Sequence, residues 1–181
     1  MFCALPPRLY LHFRDAGFPG VTDEAVALEL ATGKARLLAQ RDALGRPVVY
    51  VRTALNVVAE RSLPATQRVC VLLMDRALAE MRAEGRAQTL LVIFDLRGFG
   101  AAHADLSFIR FFIKLMFDIY PKRIGQVLLV DAPLVFKPVW AVVRPLLGKY
   151  AALVQFSTSR GLADYALPSD LDTAASFPPP V

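Results

Sequence analysis

At 181 residues the chain is long enough for one domain with a full core. Apolar residues make up 55% of it and the mean hydropathy is +0.42, against ~45–50% apolar in ordinary globular chains. The net charge of +5 comes from scattered cations, and there is no RRM, zinc or helix-turn-helix signature, which points away from nucleic acid.

The apolar surplus asks for a membrane span, a large internal cavity or an exposed apolar surface. Residues 1–20 are broken by prolines and glycines and read as a helix remnant over Leu9–Arg14 plus loop. They lack the ~7–15-residue apolar core of a secretory signal. Cys3 and Cys70 make neither a disulfide framework nor a metal set, so a reducing cytosol is the default compartment, and no cofactor is expected. Thr22 caps a helix over Asp23–Leu30 that stops near Gly33, and a strand is expected over Arg36–Gln40. Asp42 and Gly45 make a turn into the β-formers Val48–Val51. Ala65–Glu84 is an amphipathic helix with Gly85 past its end, and residues 89–94 (TLLVIF) form a buried strand.

Residues 106–120 read as one helix, apolar on most faces and stopped by Pro121; the run VLLVD is a second buried strand. LVFKPVWAVVRPLL follows as a helix and LVQFS as a third apolar strand, before the Pro-rich tail. The region from Val127 to Val154 does not span a bilayer, because Asp131, Lys137, Arg144, Lys149 and three prolines interrupt it. Strands alternating with helices at this spacing predict an α/β fold with a mixed, mainly parallel sheet, its central strands buried on both faces. No internal repeat is visible.

Several stretches mimic catalytic motifs. The turn RGFGAAH after a strand lacks the third glycine of a dinucleotide site: His103 stands there, and Asp105 in the next helical turn would repel a pyrophosphate. Asp95 is read as a turn residue accepting backbone N–H groups from the Arg97–Gly98 loop. Cys70 and His103 are the one conceivable dyad, but Cys70 lies between Val69 and Val71 on the amphipathic helix and reads as a core thiol. No nucleophile elbow, P-loop or HExxH is found, so the chain is not read as an enzyme.

Three segments, GRPVVYVR, VIFDLRGFG and YPKRIGQVLLVDAPLVFKPVWAVVRPLLGKY, together resemble the CRAL-TRIO lipid-binding family over residues 33–168. The resemblance implies a domain over 21–170 after an N-terminal remnant (1–20) and before a flexible tail (171–181). It implies a deep apolar pocket with a sheet as floor and a gate helix, Phe136–Leu147, over it. The ligand-binding residues expected on that basis are Leu90, Val92 and Phe94; Phe108, Ile109, Phe112 and Met116; Lys122, Ile124, Val127 and Leu129; and Phe136, Trp140, Val143 and Leu147. Helical spacing independently sets Phe136, Trp140, Val143 and Leu147 on one face, with Val139, Val142 and Leu146 on the other. Pro145 is expected to kink or end that helix and Gly148 to act as its hinge.

The implied function is binding a hydrophobic ligand and exchanging it at membranes, the protein being cytoplasmic and peripherally membrane-associated. The alternative is a membrane- or protein-interaction module with a vestigial pocket, which would self-associate or bind a protein partner through the face left by the reduced N-terminal lobe. Members that bind phosphatidylinositol carry a Glu, a Thr and a Lys at positions that fall here on Lys122, Ala151 and Val154. The ligand is therefore expected to have a small or weakly polar head: a sterol, a prenol, a tocopherol- or retinoid-like molecule, or an acyl chain reaching Lys122.

Overall fold

The computed structural model describes residues 21–171 apart from Arg86. The expected remnant over Leu9–Arg14 and the tail beyond residue 171 lie outside the described residues. In chain order the elements are α1 (Asp23–Ala31), β1 (Ala35–Leu37), β2 (Val48–Arg52), α2 (Leu63–Glu84), β3 (Leu90–Asp95), α3 (Leu106–Lys114), β4 (Ile124–Val130), α4 (Lys137–Leu147) and β5 (Val154–Ser157). Short 3₁₀ turns join several of them.

The five strands form one sheet in the order β1-β2-β3-β4-β5. β1 runs antiparallel to β2, and the pairs β2–β3, β3–β4 and β4–β5 are parallel. Neighbours in sequence are neighbours in space, so right-handed crossovers set successive helices on the same side of the sheet. On that side Val49, Val92, Val127 and Leu129 share an apolar cluster with α2 and with the segments around α3 and α4. The opposite side presents Val48, Tyr50, Leu91, Ile93, Leu128 and Val130, covered by Leu162, Leu167 and Leu171. Period-2 alternation along β3 explains the split: odd residues pack one way, even residues the other.

The expected helix over 106–120 is corrected in its second half. Asp105 caps α3 by accepting from Phe108 N (2.9 Å), and the α-helix runs to Lys114, then widens into a π turn over Leu115–Ile119. Tyr120 N accordingly bonds to Leu115 O, five residues back, at 2.9 Å. The wide turn lets Leu115, Met116, Phe117 and Ile119 all be buried, and Tyr120 donates its hydroxyl to Asp75 of α2 at 2.9 Å. Such turns are often found at functional sites.

Residues in and beside the motifs that carried the resemblance shape turns and a strand bulge. Asp42 accepts from the amides of Leu44 and Arg46 (3.0 and 2.7 Å) and pairs with the Arg46 guanidinium at 2.6 Å. Asp95, buried at the end of β3, accepts from Arg97 N (2.9 Å), the Arg97 side chain and Tyr50 OH (2.6 Å). Asp131, at φ 50°, accepts from Ser159 N at 3.1 Å. Gly125 sits at a register shift between β3 and β4, where an added Cβ would lie 2.5 Å from Thr89 Oγ1. That bulge keeps Ile124 and Val127 on the same face despite their odd spacing.

Candidate functional site: an apolar cavity under helix α4

Between the helix-covered side of the sheet and α2, α3 and α4 lies a cavity of about 150 Å³ that opens toward solvent. The strands supply its floor: Val49 and Val51 from β2, Val92 and Phe94 from β3, Val127 and Leu129 from β4, Val154 from β5. α2 contributes Val69, Cys70, Leu73 and Met74, and the α3 segment Phe108, Ile109, Phe112, Ile113, Met116 and Phe117. α4 and the turn before it close the cavity with Phe136, Val139, Trp140, Val143 and Leu147.

Twelve of the expected ligand-binding residues thus line one space. Leu90 and Ile124 face the same side but pair with each other at the amino ends of their strands, buried below the cavity. Lys122 is exposed in the loop after Pro121, at φ 61°, and does not line the cavity. Val139, expected on the outer face of the gate, lines the cavity. The remaining outer residues do face out, Val142 being 49% and Leu146 45% exposed. Phe117 was not among the expected residues, although it follows Ile109 and Ile113 at helical spacing and lines the cavity with them.

Edge-to-face rings hold the walls together. Phe94 on the floor meets Phe112 of α3 with centroids 5.1 Å apart. Phe136 meets Phe99 at 5.3 Å, and Trp140 meets Phe156 of β5 at 5.2 Å. Pro145 lies inside α4, which continues only to Leu147 before Gly148 leaves the helix at φ 52°, ψ −125°. A proline there removes a helical hydrogen bond, and a glycine accepts that backbone at least cost.

The cavity has polar members that no periodicity announced. Lys34 pairs with Glu29 at 2.9 Å, both nearly buried, and Thr66 donates to the same carboxylate. Asn56, His103 and Asp105 line the other polar stretch. Cys70 lies on the wall, and burial pushes its thiol up to about 12 with the nearby Glu29 adding to the shift. A nucleophile needs the opposite shift, so Cys70 is a wall residue. His103 is engaged as an acceptor from Gly100 N at 2.8 Å. Among the described residues no group of side chains could hold a metal ion, and no helix is long and apolar enough to cross a membrane.

With this geometry, comparison with known proteins is informative. The model of the CRAL/TRIO domain matches residues 31–171. The chain is 26% identical over 148 residues to the phosphatidylinositol transfer protein CSR1 of Eremothecium gossypii, covering 81% of this chain and 33% of that protein. It is 27% identical over 151 residues to the CRAL-TRIO domain-containing protein C3H8.02 of Schizosaccharomyces pombe, covering 82% and 33%. Human tyrosine-protein phosphatase non-receptor type 9 is 25% identical over 125 residues, only 21% of its length. The chain therefore spans about a third or less of these curated relatives. Among solved structures, the crystal structure of Sfh5 matches with a TM-score of 0.61 at 16% identity, covering 72% of this chain and 49% of that one. The shared architecture and the family match over most of the chain make it a member of the CRAL/TRIO domain family.

Proposed function

We propose that the protein binds one hydrophobic, lipid-like molecule in the cavity under α4 and exchanges or presents it at membranes, with α4 as the gate. The observation that carries this reading is a helix apolar on both sides. Phe136, Trp140, Val143 and Leu147 face the cavity, while Val142 and Leu146 face out beside the exposed Leu134 and Val135. A core helix has no reason to keep its solvent side apolar; a helix that meets a ligand when shut and a bilayer when open does. Lys137, Arg144 and Lys149 are exposed around it and can approach anionic headgroups at ~1 kcal/mol each. A cavity of about 150 Å³ holds a guest the size of benzene. A sterol or a long acyl chain is much larger, so its entry requires α4 to move outward.

The ligand we propose has a small or weakly polar head. Of the three positions aligned with a phosphatidylinositol headgroup site, Val154 lines the cavity, Ala151 is partly buried against the same apolar cluster, and Lys122 is outside. The buried cation Lys34 is already paired with Glu29. A phosphate buried there without donors would cost several kcal/mol.

Native mass spectrometry of protein purified from cells tests the reading, the expected result being one retained lipid per chain. A bare protein that still binds liposomes would instead favour an interaction module. Stoichiometric phosphatidylinositol binding that sterols and prenols fail to displace would overturn the ligand class.

A further inference from the structure

The cations are scattered along the chain, but the acids that balance them are not. Residues 106–153 carry seven Lys and Arg against two acids, Asp118 and Asp131. The rest of the chain carries fourteen of each, so the whole net charge of +5 lies on this one stretch. It holds α3 and α4, and neither helix contains an acidic residue. Arg110 and Lys114 on α3, Lys137 and Arg144 on α4, and Lys149 just after it are all exposed. Among the described residues none of the five is in an ion pair; Lys149 lies over the Tyr150 ring at 5.2 Å.

Helical spacing sets the α3 cations on the outside. Arg110 and Lys114 stand one turn apart, on the side of α3 opposite Phe108, Phe112 and Met116, which line the cavity. Most of the half-exposed apolar residues on the cavity wall belong to α3 and α4, so these two helices frame its opening. The same helices expose aliphatic side chains: Leu106 at the start of α3, Leu134 before α4 (77% exposed), and Val142 and Leu146 on α4. A polyanion alone would satisfy the cations and leave these aliphatic groups in water. An anionic bilayer takes both at once, its headgroups against the cations and its acyl boundary against the aliphatics.

We propose that α3 and α4 together form a docking face for an anionic bilayer, which sets the opening of the cavity against the membrane. The proposal rests on the reading of the cavity as a lipid site. It adds α3 as a second docking element and the sign of the membrane that the protein selects. Arg110 and Lys114 contribute attraction without touching the ligand, so docking and ligand retention separate in α3. The attraction is screened beyond ~10 Å at 0.1 M salt and beyond ~3 Å at 1 M, so docking weakens steeply with ionic strength.

The experiment is flotation of the protein with vesicles of phosphatidylcholine alone and with vesicles in which about a third of the lipid is phosphatidylserine. Wild type should bind the anionic vesicles at least about tenfold more tightly, and about 1 M salt should remove the difference. The double variant Arg110→Gln, Lys114→Gln should bind them about thirtyfold more weakly than wild type. Native mass spectrometry should find the lipid it retains per chain unchanged. Equal binding of wild type to the two vesicles overturns the docking face, and a lipid retained by that protein leaves the lipid-site reading standing. Anionic binding by a protein that retains no lipid does the reverse. Undiminished binding by the double variant overturns the part given to α3. A salt-sensitive dimer in the absence of vesicles, seen by light scattering, overturns the bilayer as occupant in favour of a second copy of the chain.

Discussion

Trp140 of α4 and Phe156 of the edge strand β5 meet edge to face, their ring centroids 5.2 Å apart and their planes at 87°. Phe136 approaches the same Phe156 ring at 6.4 Å. Phe156 is 52% exposed, so the contact joining gate to sheet lies at the surface, where it can part without opening the core. If α4 is the gate we propose, this contact is its latch.

The first prediction concerns that latch. An aromatic pair of this geometry contributes ~0.5–1.5 kcal/mol beyond area burial. Phe156→Ala should raise the rate of ligand release up to about tenfold, and Trp140→Ala should weaken both ligand retention and liposome binding. Transfer of a fluorescent lipid between liposomes measures both. A Trp140→Ala protein that exchanges lipid as wild type does would remove α4 from the role of gate.

The second concerns Gly148, at φ 52°, ψ −125°, where an added Cβ would meet nothing within 4 Å. The cost of Gly148→Ala is therefore conformational rather than steric, about 1–3 kcal/mol. Thermal unfolding should show a lowered midpoint, and the exchange rate should change with it because α4 ends at this residue. An unchanged midpoint would mean that the backbone there relaxes freely.

The third is a pH dependence. Burial would raise the Asp95 carboxyl, but hydrogen bonds from Arg97 and Tyr50 outweigh it and hold the carboxyl below its ordinary value. A carboxyl lowered by folding stabilises fully above its unfolded value, near ~3.9, and that stabilisation is lost as pH falls through the lower folded value. Asp95→Asn should cost about 1–3 kcal/mol at pH 7. The gap from wild type should close below about pH 4. Urea unfolding at pH 7 and pH 3 gives the comparison, and equal gaps at both would contradict the assignment.

The fourth uses Cys70. With its thiol at about 12, almost none is thiolate at pH 8 in the folded protein, whereas an unfolded cysteine titrates near ~8.5. Iodoacetamide at pH 8 should leave the Cys70 peptide unmodified until denaturant is added. Equal labelling with and without denaturant would mean that the wall at Cys70 opens readily.

What the sequence by itself determined is what covalent spacing controls. Thr22, Gly85 and Pro121 mark helix ends because capping and stopping are local. Alternation along Leu90–Asp95 put Val92 and Phe94 on one face, and the ordered motifs pointed to a mixed, mainly parallel sheet with an apolar space on one side. Only the tertiary structure decided where that space ends. Leu90 and Ile124 share the face of Val92 but fall below the cavity, because depth along a strand depends on where remote helices close down. Val139 lines the cavity against the expectation that set it on the outer face, since it stands three residues after Phe136 and four before Val143, within a wider inward face than the one expected. Asn56 was silent in sequence and His103 was weighed only as a nucleotide-turn or dyad residue, since a polar residue in a loop looks the same whether it meets water or a cavity. Loops far apart in sequence had to be brought together at the ends of β2 and β3 before Asn56 and His103 lined one cavity.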